Sequence, residues 1–333
     1  MRSGMQQIRK VEKVVSLSDA EIKQEIKNIC VNVKGKKMKI AVATDFIGST
    51  GSPERPLRFI AEGGFTHLHW CHQWCTDFLY SKYEMAEYKR MLKEFGLTLL
   101  DIHGSAGHEK LWYATEEYRR KSGVELVINR IEMLSELEAE EGGTLMMHFP
   151  VCKFDSTPER KAEVRTLLDC CKRSLDEIMP VLEKHNRCIA LENMWGDNWE
   201  TLNEMLDLYP AERIGICYDS GHANGNVHKQ MDHLEARKDR LEALHLHDNN
   251  GEGDQHQPPF YGTVDWERLA QIIGTSSYQT RPVSFELSIG NTPAFNPDLA
   301  WEAQPDENVR NFIQDAYERC AKFTAMVEQY RKG

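Results

Sequence analysis

The sequence has no apolar run approaching the roughly 20 residues that a membrane-spanning helix requires. Its basic N-terminus, MRSGMQQIRK, is not followed by the apolar stretch of a secretory signal. Basic side chains are outnumbered, since 41 lysines and arginines against 52 aspartates and glutamates give a formal net charge of −11. Because nucleic acid repels an acidic surface, we expect no nucleic-acid partner. The lack of a long apolar run predicts no membrane partner, and the cysteine pattern described next predicts a cytoplasmic protein.

Two further signatures are missing. The nine cysteines are an odd number and scatter from Cys30 to Cys320 without disulfide-scaffold spacing, which predicts reduced thiols. No glycine-rich phosphate-binding turn follows the first apolar strand. This second absence argues against an open, doubly wound sheet that binds a dinucleotide.

The sequence does contain a regular alternation of apolar and polar segments from Met38 onward. The eight apolar, β-rich segments are MKIAVATDF, FTHLHW, LTLLDIHG, GTLMMHFP, CIALEN, IGICYD, LEALHLHD and VSFELS. Segments with helical spacing separate them, and a final helix is expected around Glu307 to Gln329. The pattern predicts an α/β fold, a (βα)8 TIM barrel over residues 38–333. Residues 1–37, with a Ser-capped helical segment before KGKK, predict a short N-terminal helical extension outside the barrel.

Acidic and histidine residues stand at the C-terminal ends of the last four predicted strands. They are Glu192, Asp219, His245 and Glu286, in strand order. Since a parallel barrel brings the C-terminal ends of its strands to one rim, we expect these side chains to converge. Any one of them alone would usually cap the next helix or fill the core. Four from consecutive strands predict a divalent-metal site.

Other side chains near the same rim are candidates for catalysis or substrate binding. His148 follows strand four and is a candidate general base, as are Glu192 and Glu286. The alternative is that His103 and His148 only hydrogen-bond to the metal-binding carboxylates. Aromatic rings beside a polar site suit the apolar face of a sugar, whereas Trp301 is expected to pack between helices, as Trp266 is. The candidate substrate-binding residues are His103, Trp112, Trp195, His222, Asp254 and His256.

These residues resemble the xylose isomerase-like barrel superfamily, which contains sugar isomerases and epimerases as well as endonuclease IV-type AP endonucleases. The resemblance runs from about Met38 to the C-terminus and is most specific from Cys188 to Glu286. It implies that Glu192, Asp219, His245 and Glu286 hold one divalent ion, manganese first, with magnesium, cobalt or zinc as alternatives. It also implies a metal-dependent enzyme that abstracts a proton next to the carbonyl of a sugar or oxo-sugar. His247 is the competing choice for the histidine ligand.

The resemblance leaves alternatives. Asp254, His256, His103 and His148 match further ligands of the endonuclease branch, so a trinuclear site has candidates for all of its ligand types. HWCHQW and the LEN–W pattern resemble catalytic subunits of C-glycoside deglycosidases, which implies β-elimination from 3-oxo-C-glycosides and a small β-rich partner subunit instead of a homo-oligomer. The chain departs from ketose epimerases at Asn198, where they have a second glutamate. A sugar-binding module without activity is the non-enzymatic alternative.

Overall fold

The computed structural model describes residues 38–48, 51–225 and 230–331. The predicted helical extension over residues 1–37 lies outside these ranges and stays a prediction. None of the helices in the described ranges is long and apolar enough to cross a membrane.

Eight parallel strands form one sheet that closes on itself. The strands are β1 (Ile40–Ala43), β2 (His67–Trp70), β3 (Thr98–His103), β4 (Thr144–Met147), β5 (Cys188–Glu192), β6 (Ile214–Asp219), β7 (Leu241–His245) and β8 (Val283–Phe285). Each strand from β1 to β6 pairs with the next in the chain, and β8 pairs with β1. A parallel bridge between Leu246 and Phe285 joins β7 to β8 and completes the ring. The predicted TIM barrel is confirmed.

Helices connect the strands. They are α1 (Glu54–Gly63), α2 (Lys82–Phe95), α3 (Glu117–Glu136), α4 (Pro158–His185), α5 (Glu200–Leu208), α6 (Ser220–Asn224), α7 (Met231–Ala236), α8 (Trp266–Gly274) and α9 (Asp306–Arg331). Local sequence sets their ends: Ser81 and Glu84 form a capping box at the start of α2, and Gly96 follows its end with φ 66°. The predicted final helix corresponds to α9.

Small and medium apolar side chains fill the barrel interior. Met146, Ala190, Cys217 and Ala243, one from each of β4 to β7, are fully buried and form a cluster. Because all eight strands are parallel, their C-terminal ends lie at one rim of the barrel. The rim is therefore where the acidic and histidine residues of the sequence pattern meet.

Candidate metal centre and active site

Four consecutive strand ends bring the predicted metal ligands together. Glu192, Asp219 and His245 are the last residues of β5, β6 and β7, and Glu286 follows β8 directly. All four are buried, and one ligand atom from each lies within 4.8 Å of the others. The convergence expected from strand order is present in the structure.

His245 lies between two of the carboxylates. Its Nδ1 is 3.1 Å from Oε1 of Glu192 and 2.9 Å from Oε2 of Glu286. Burial alone would raise the pKa of both glutamates, but the charges and hydrogen bonds of the neighbouring histidines, His245 foremost, together outweigh it and hold each pKa well below its usual range. Both carboxylates are therefore ionised at neutral pH.

Asp219 has a structural and a site-facing role. Its Oδ1 accepts a hydrogen bond from the backbone N–H of His222 at 2.6 Å and so caps the short helix α6. The same oxygen lies 3.1 Å from Nε2 of His247. The amide of Asn193 bonds to both backbone groups of Asp219, at 2.8 and 3.0 Å, and fixes the end of β6 beside β5. Capping and metal binding are thus compatible at this position.

The charges around these carboxylates fit a bound cation. Within the described ranges, every ion-pair partner of Glu192, Asp219 and Glu286 is a histidine. Three buried carboxylates without a lysine or arginine would carry a large desolvation cost. Oxygen donors with one imidazole are a ligand set that suits Mn²⁺, Mg²⁺ or Zn²⁺. The residues present therefore fit a divalent ion.

A second group of ligand-type side chains adjoins Glu192 from β3 and β4. Nε2 of His148 lies 2.9 Å from Oε2 of Glu192, and His148 keeps about a quarter of its side chain exposed. His103 is buried, with Nδ1 2.8 Å from the carbonyl oxygen of Gly104 and its ring 5.0 Å from that of His148. Burial, reinforced by the charge of His148, holds the pKa of His103 well below its ordinary value. His103 is neutral and can accept or ligate.

A third group lies in the loop after β7. Nε2 of His256 is 3.2 Å from Oδ2 of Asp254, and Nε2 of His222 is 3.3 Å from the same oxygen. Although burial opposes it, the hydrogen bond to Asp254 raises the pKa of His256 to about 10. The backbone of His256 is left-handed, at φ 49°, a strained conformation that clusters at functional sites. Asp254 thus contacts both of the other predicted residues, His222 and His256.

His247, which the sequence analysis treated only as the competing choice for the histidine ligand, makes several contacts at the site. It is fully buried, and its Nε2 is 3.1 Å from Asp219 and 3.4 Å from Asp254. Its ring stacks on that of His256 at 4.2 Å. The segment LHLHD could have indicated this position of His247. Residues two apart on a strand face the same side, and His245 was already predicted to face the site.

The tryptophans near the rim differ in exposure and in position. Trp112 is 2% exposed and donates its indole N–H to the carbonyl of His148 at 3.0 Å, so it lies behind the rim. Trp195 is half-buried and packs on Gly225, where any side chain would collide. Trp266 is buried against Phe323, as expected. The expectation that Trp301 packs between helices is wrong: it is 38% exposed and lines the rim cavities.

Sequence reasoning missed residues of the first strands. Asp45, just after β1, offers a ligand-type atom within 4.8 Å of those of Cys71 and Glu286. Its Oδ2 accepts a hydrogen bond from the indole N–H of Trp74 at 2.9 Å. The strand-end rule that found Glu192 applies equally to Asp45 in MKIAVATDF and could have found it.

A buried histidine–carboxylate pair adjoins the candidate ligand His245. Nδ1 of His69 is 2.8 Å from Oδ1 of Asp101, and both side chains are inside the barrel. The His69 ring is 4.4 Å from that of His245, in an edge-on arrangement. The sequence interpretation assigned neither residue to the site, although a carboxylate within the apolar strand LTLLDIHG needs a buried partner.

Comparisons with known proteins agree with the fold. The sequence matches the family described as xylose isomerase-like TIM barrel over residues 57–325. The chain belongs to this family. An uncharacterised relative, y4fM of Sinorhizobium fredii, is 29% identical over 252 residues, which cover 69% of this chain and 79% of the relative.

Solved structures share the architecture at low identity. A D-tagatose 3-epimerase-like protein superposes with a TM-score of 0.61 and 19% identity, covering 88% of this chain and 99% of its own. An L-ribulose 3-epimerase superposes with a TM-score of 0.63 and 11% identity, covering 89% of this chain and 96% of its own. At these identities the similarity establishes the barrel fold, and the chemistry has to be argued from the site.

Proposed function

We propose that this protein is a divalent-metal-dependent sugar isomerase or epimerase that removes a proton next to the carbonyl of a sugar or oxo-sugar. The observation that carries the proposal is the group of three buried carboxylates, Glu192, Asp219 and Glu286, gathered around His245 with only histidines as ion-pair partners in the described chain. The structural neighbours named as D-tagatose 3-epimerase-like and L-ribulose 3-epimerase support the same class of substrate.

In this proposal, metal binding and proton transfer are assigned to particular rim residues. Glu192, Asp219, His245 and Glu286 hold the ion, with manganese as our first choice. A divalent ion bound there would polarise a sugar carbonyl and acidify the neighbouring C–H bond. Glu192 and Glu286 approach His245 from β5 and β8, so each presents a carboxylate that can take or return the proton.

His148 is positioned to assist this transfer. It is in contact with Glu192 at 2.9 Å and is partly exposed, so it can exchange a proton with solvent. His103, His222, Asp254 and His256 complete the rim and offer hydrogen bonds to sugar hydroxyl groups. β-Elimination from a 3-oxo-glycoside would begin with the same proton abstraction, and analysis of the products distinguishes it from isomerisation.

The test is metal-dependent exchange of a carbon-bound proton. Protein loaded with Mn²⁺ is incubated in D₂O with a panel of ketoses, aldoses and 3-oxo-glycosides, and recovered sugars are analysed by mass spectrometry and NMR. We expect deuterium at the carbon next to the carbonyl in at least one sugar, and none with chelator-treated protein. Absence of exchange with every member of the panel contradicts the proposal.

One observation favours a second candidate, phosphodiester cleavage of the AP endonuclease type. Two further ligand groups flank the first, His103, His148 and Glu192 on one side and His247, Asp254 and His256 on the other. Elemental analysis separates the candidates, because sugar chemistry needs about one ion and a trinuclear phosphoesterase about three. We expect no nicking of abasic duplex DNA at physiological salt, given the net charge of −11.

A further inference from the structure

The rim carries two adjoining cavities. One, of about 300 Å³, is lined in part by Asp254 and His256, next to the candidate metal centre. The other, of about 330 Å³, is lined in part by Trp74. Asp45 and Trp301 line both cavities, so the two form one elongated cleft. Ligand pockets usually measure roughly 300–1,000 Å³, so each part has room for one ring and the whole cleft for two linked rings.

The cleft has an acidic lining. Its described lining residues include Asp45, Asp254 and Glu302 but no lysine or arginine. The imidazole of His256 is already paired with Asp254 at 3.2 Å. A phosphate or carboxylate group on the substrate would find no guanidinium or ammonium partner among these residues. The lining therefore favours a neutral substrate.

Two indoles give the second part of the cleft an apolar surface. Trp301 packs on Gly48 and Gly290. A Cβ atom added to Gly48 would lie 2.8 Å from the indole, and one added to Gly290 would lie 3.3 Å from it. Trp301 itself stays 38% exposed. Trp74 is held by its hydrogen bond to Asp45 at 2.9 Å. Rings fixed in this way stack on a flat group at low entropic cost. The second part is thus suited to a ring without charge.

We propose that the substrate is a neutral glycoside, whose sugar ring lies in the cavity beside Asp254 and whose second ring lies against Trp301. The proposal rests on the proposed function for the sugar chemistry and goes beyond it by naming the substrate class. It also assigns Trp301 as a residue that determines specificity. The second ring is an aryl group or a second sugar, since both present a flat apolar face.

Binding measurements with matched probes test this. Methyl and 4-nitrophenyl glycosides of D-glucose, D-galactose and D-xylose, in both anomers, are titrated into Mn²⁺-loaded protein by calorimetry, with cellobiose and lactose as two-sugar probes and D-glucose 6-phosphate as the anionic probe. We expect one sugar whose two-ring probe binds at least ~10-fold tighter than its methyl glycoside. D-Glucose 6-phosphate should bind more weakly than D-glucose, which is titrated beside it as the neutral counterpart. The disaccharides and the 4-nitrophenyl compounds tell a second sugar from an aryl group.

Variants locate the effect. Trp301→Ala should bring the preference for the second ring to about 1, because it lowers the affinity for the two-ring probe far more than that for the methyl glycoside, and Trp301→Phe should keep part of the preference. Tyr118→Ala, an exposed aromatic on α3, is the matched control and should change neither. Equal affinity for methyl and two-ring probes, an unchanged preference in Trp301→Ala, or tighter binding of the phosphate overturns the inference alone. Failure of all probes to bind the metal-loaded protein also overturns this inference, whereas the proposed function is tested separately by the deuterium exchange into ketoses, aldoses and 3-oxo-glycosides.

Discussion

The two halves of the barrel rim differ in chemistry. Strands β5 to β8 end in Glu192, Asp219, His245 and Glu286, which contact histidines or one another directly. The segments at the ends of β1 to β4 bring Asp45, His103, His148 and the indole of Trp74 to the rim, while the carboxylate of Asp101 on β3 is paired with His69. The proposed function therefore assigns cation binding to the second half, and substrate shape and proton exchange to the first.

A comparison of two buried acids of the second half shows why partners matter. Glu192 and Asp197 are both at most 1% exposed. Burial would raise the pKa of either, but His245 and His148 hold that of Glu192 well below its usual range, whereas the pKa of Asp197 is raised to about 7. Burial alone does not mark a functional carboxylate; the imidazoles around it do.

The largest expected effect is loss of the metal from the second half. Glu192→Ala or Glu286→Ala removes an inner ligand, and we expect the bound ion and the activity to be lost together. The measurement is elemental analysis after gel filtration in metal-free buffer. Glu125→Ala, an exposed acid on α3, is the control and should retain full metal content. Full metal content in Glu286→Ala would refute its assignment as a ligand.

A smaller effect is expected from the first half. His148→Gln keeps the size of the side chain and some hydrogen bonding, so the metal should stay while the rate falls by at least ~100-fold, the contribution of a positioned general base. Steady-state kinetics with parallel metal analysis checks this. Joint loss of metal and rate would make His148 a ligand of a multinuclear centre. An unchanged rate would leave Glu192 or Glu286 as the base.

His247 tests the boundary of the metal centre. It contacts Asp219 and Asp254 but is not in the group of four ligands. We expect His247→Asn to weaken metal affinity by about tenfold, the usual effect of removing a group that orients a ligand, without abolishing it. Competition titration with a chromophoric chelator measures the change. Loss as complete as in Glu286→Ala would place His247 among the ligands.

The two halves of the rim also differ in how much of their structure could be predicted from the sequence. The strand positions and the four candidate ligands could be predicted because alternation and strand order are local patterns, and the structure bears out the barrel that they imply. The same strand-end rule applies to Asp45, but no series of acidic strand ends among β1 to β4 drew attention to it. The position of Trp301 could not be predicted in this way. It depends on packing of the indole against Gly48 and Gly290, which lie far from each other in the chain. The exposed or buried state of Trp112 likewise depends on packing between α3 and α4, which no local pattern encodes.

The smallest effect concerns stability and follows from Asp197. Its Oδ1 accepts a hydrogen bond from the backbone N–H of Trp199 at 2.8 Å, while its Oδ2 has no hydrogen-bond partner in the described ranges. Because burial raises the folded-state pKa to about 7 from an unfolded value of 3.8, the native state binds more protons between these values, and stability is lost as the pH rises through that window. Asp197→Asn removes this titration, so the stability of the variant relative to the natural protein should be higher at pH 8 than at pH 5, by roughly 1–3 kcal/mol. Urea unfolding of metal-stripped protein at both pH values measures the difference, with the exposed Asp155→Asn as control. A difference that is the same at both pH values would show that Asp197 is ionised throughout, and that its environment is more polar than the structure indicates.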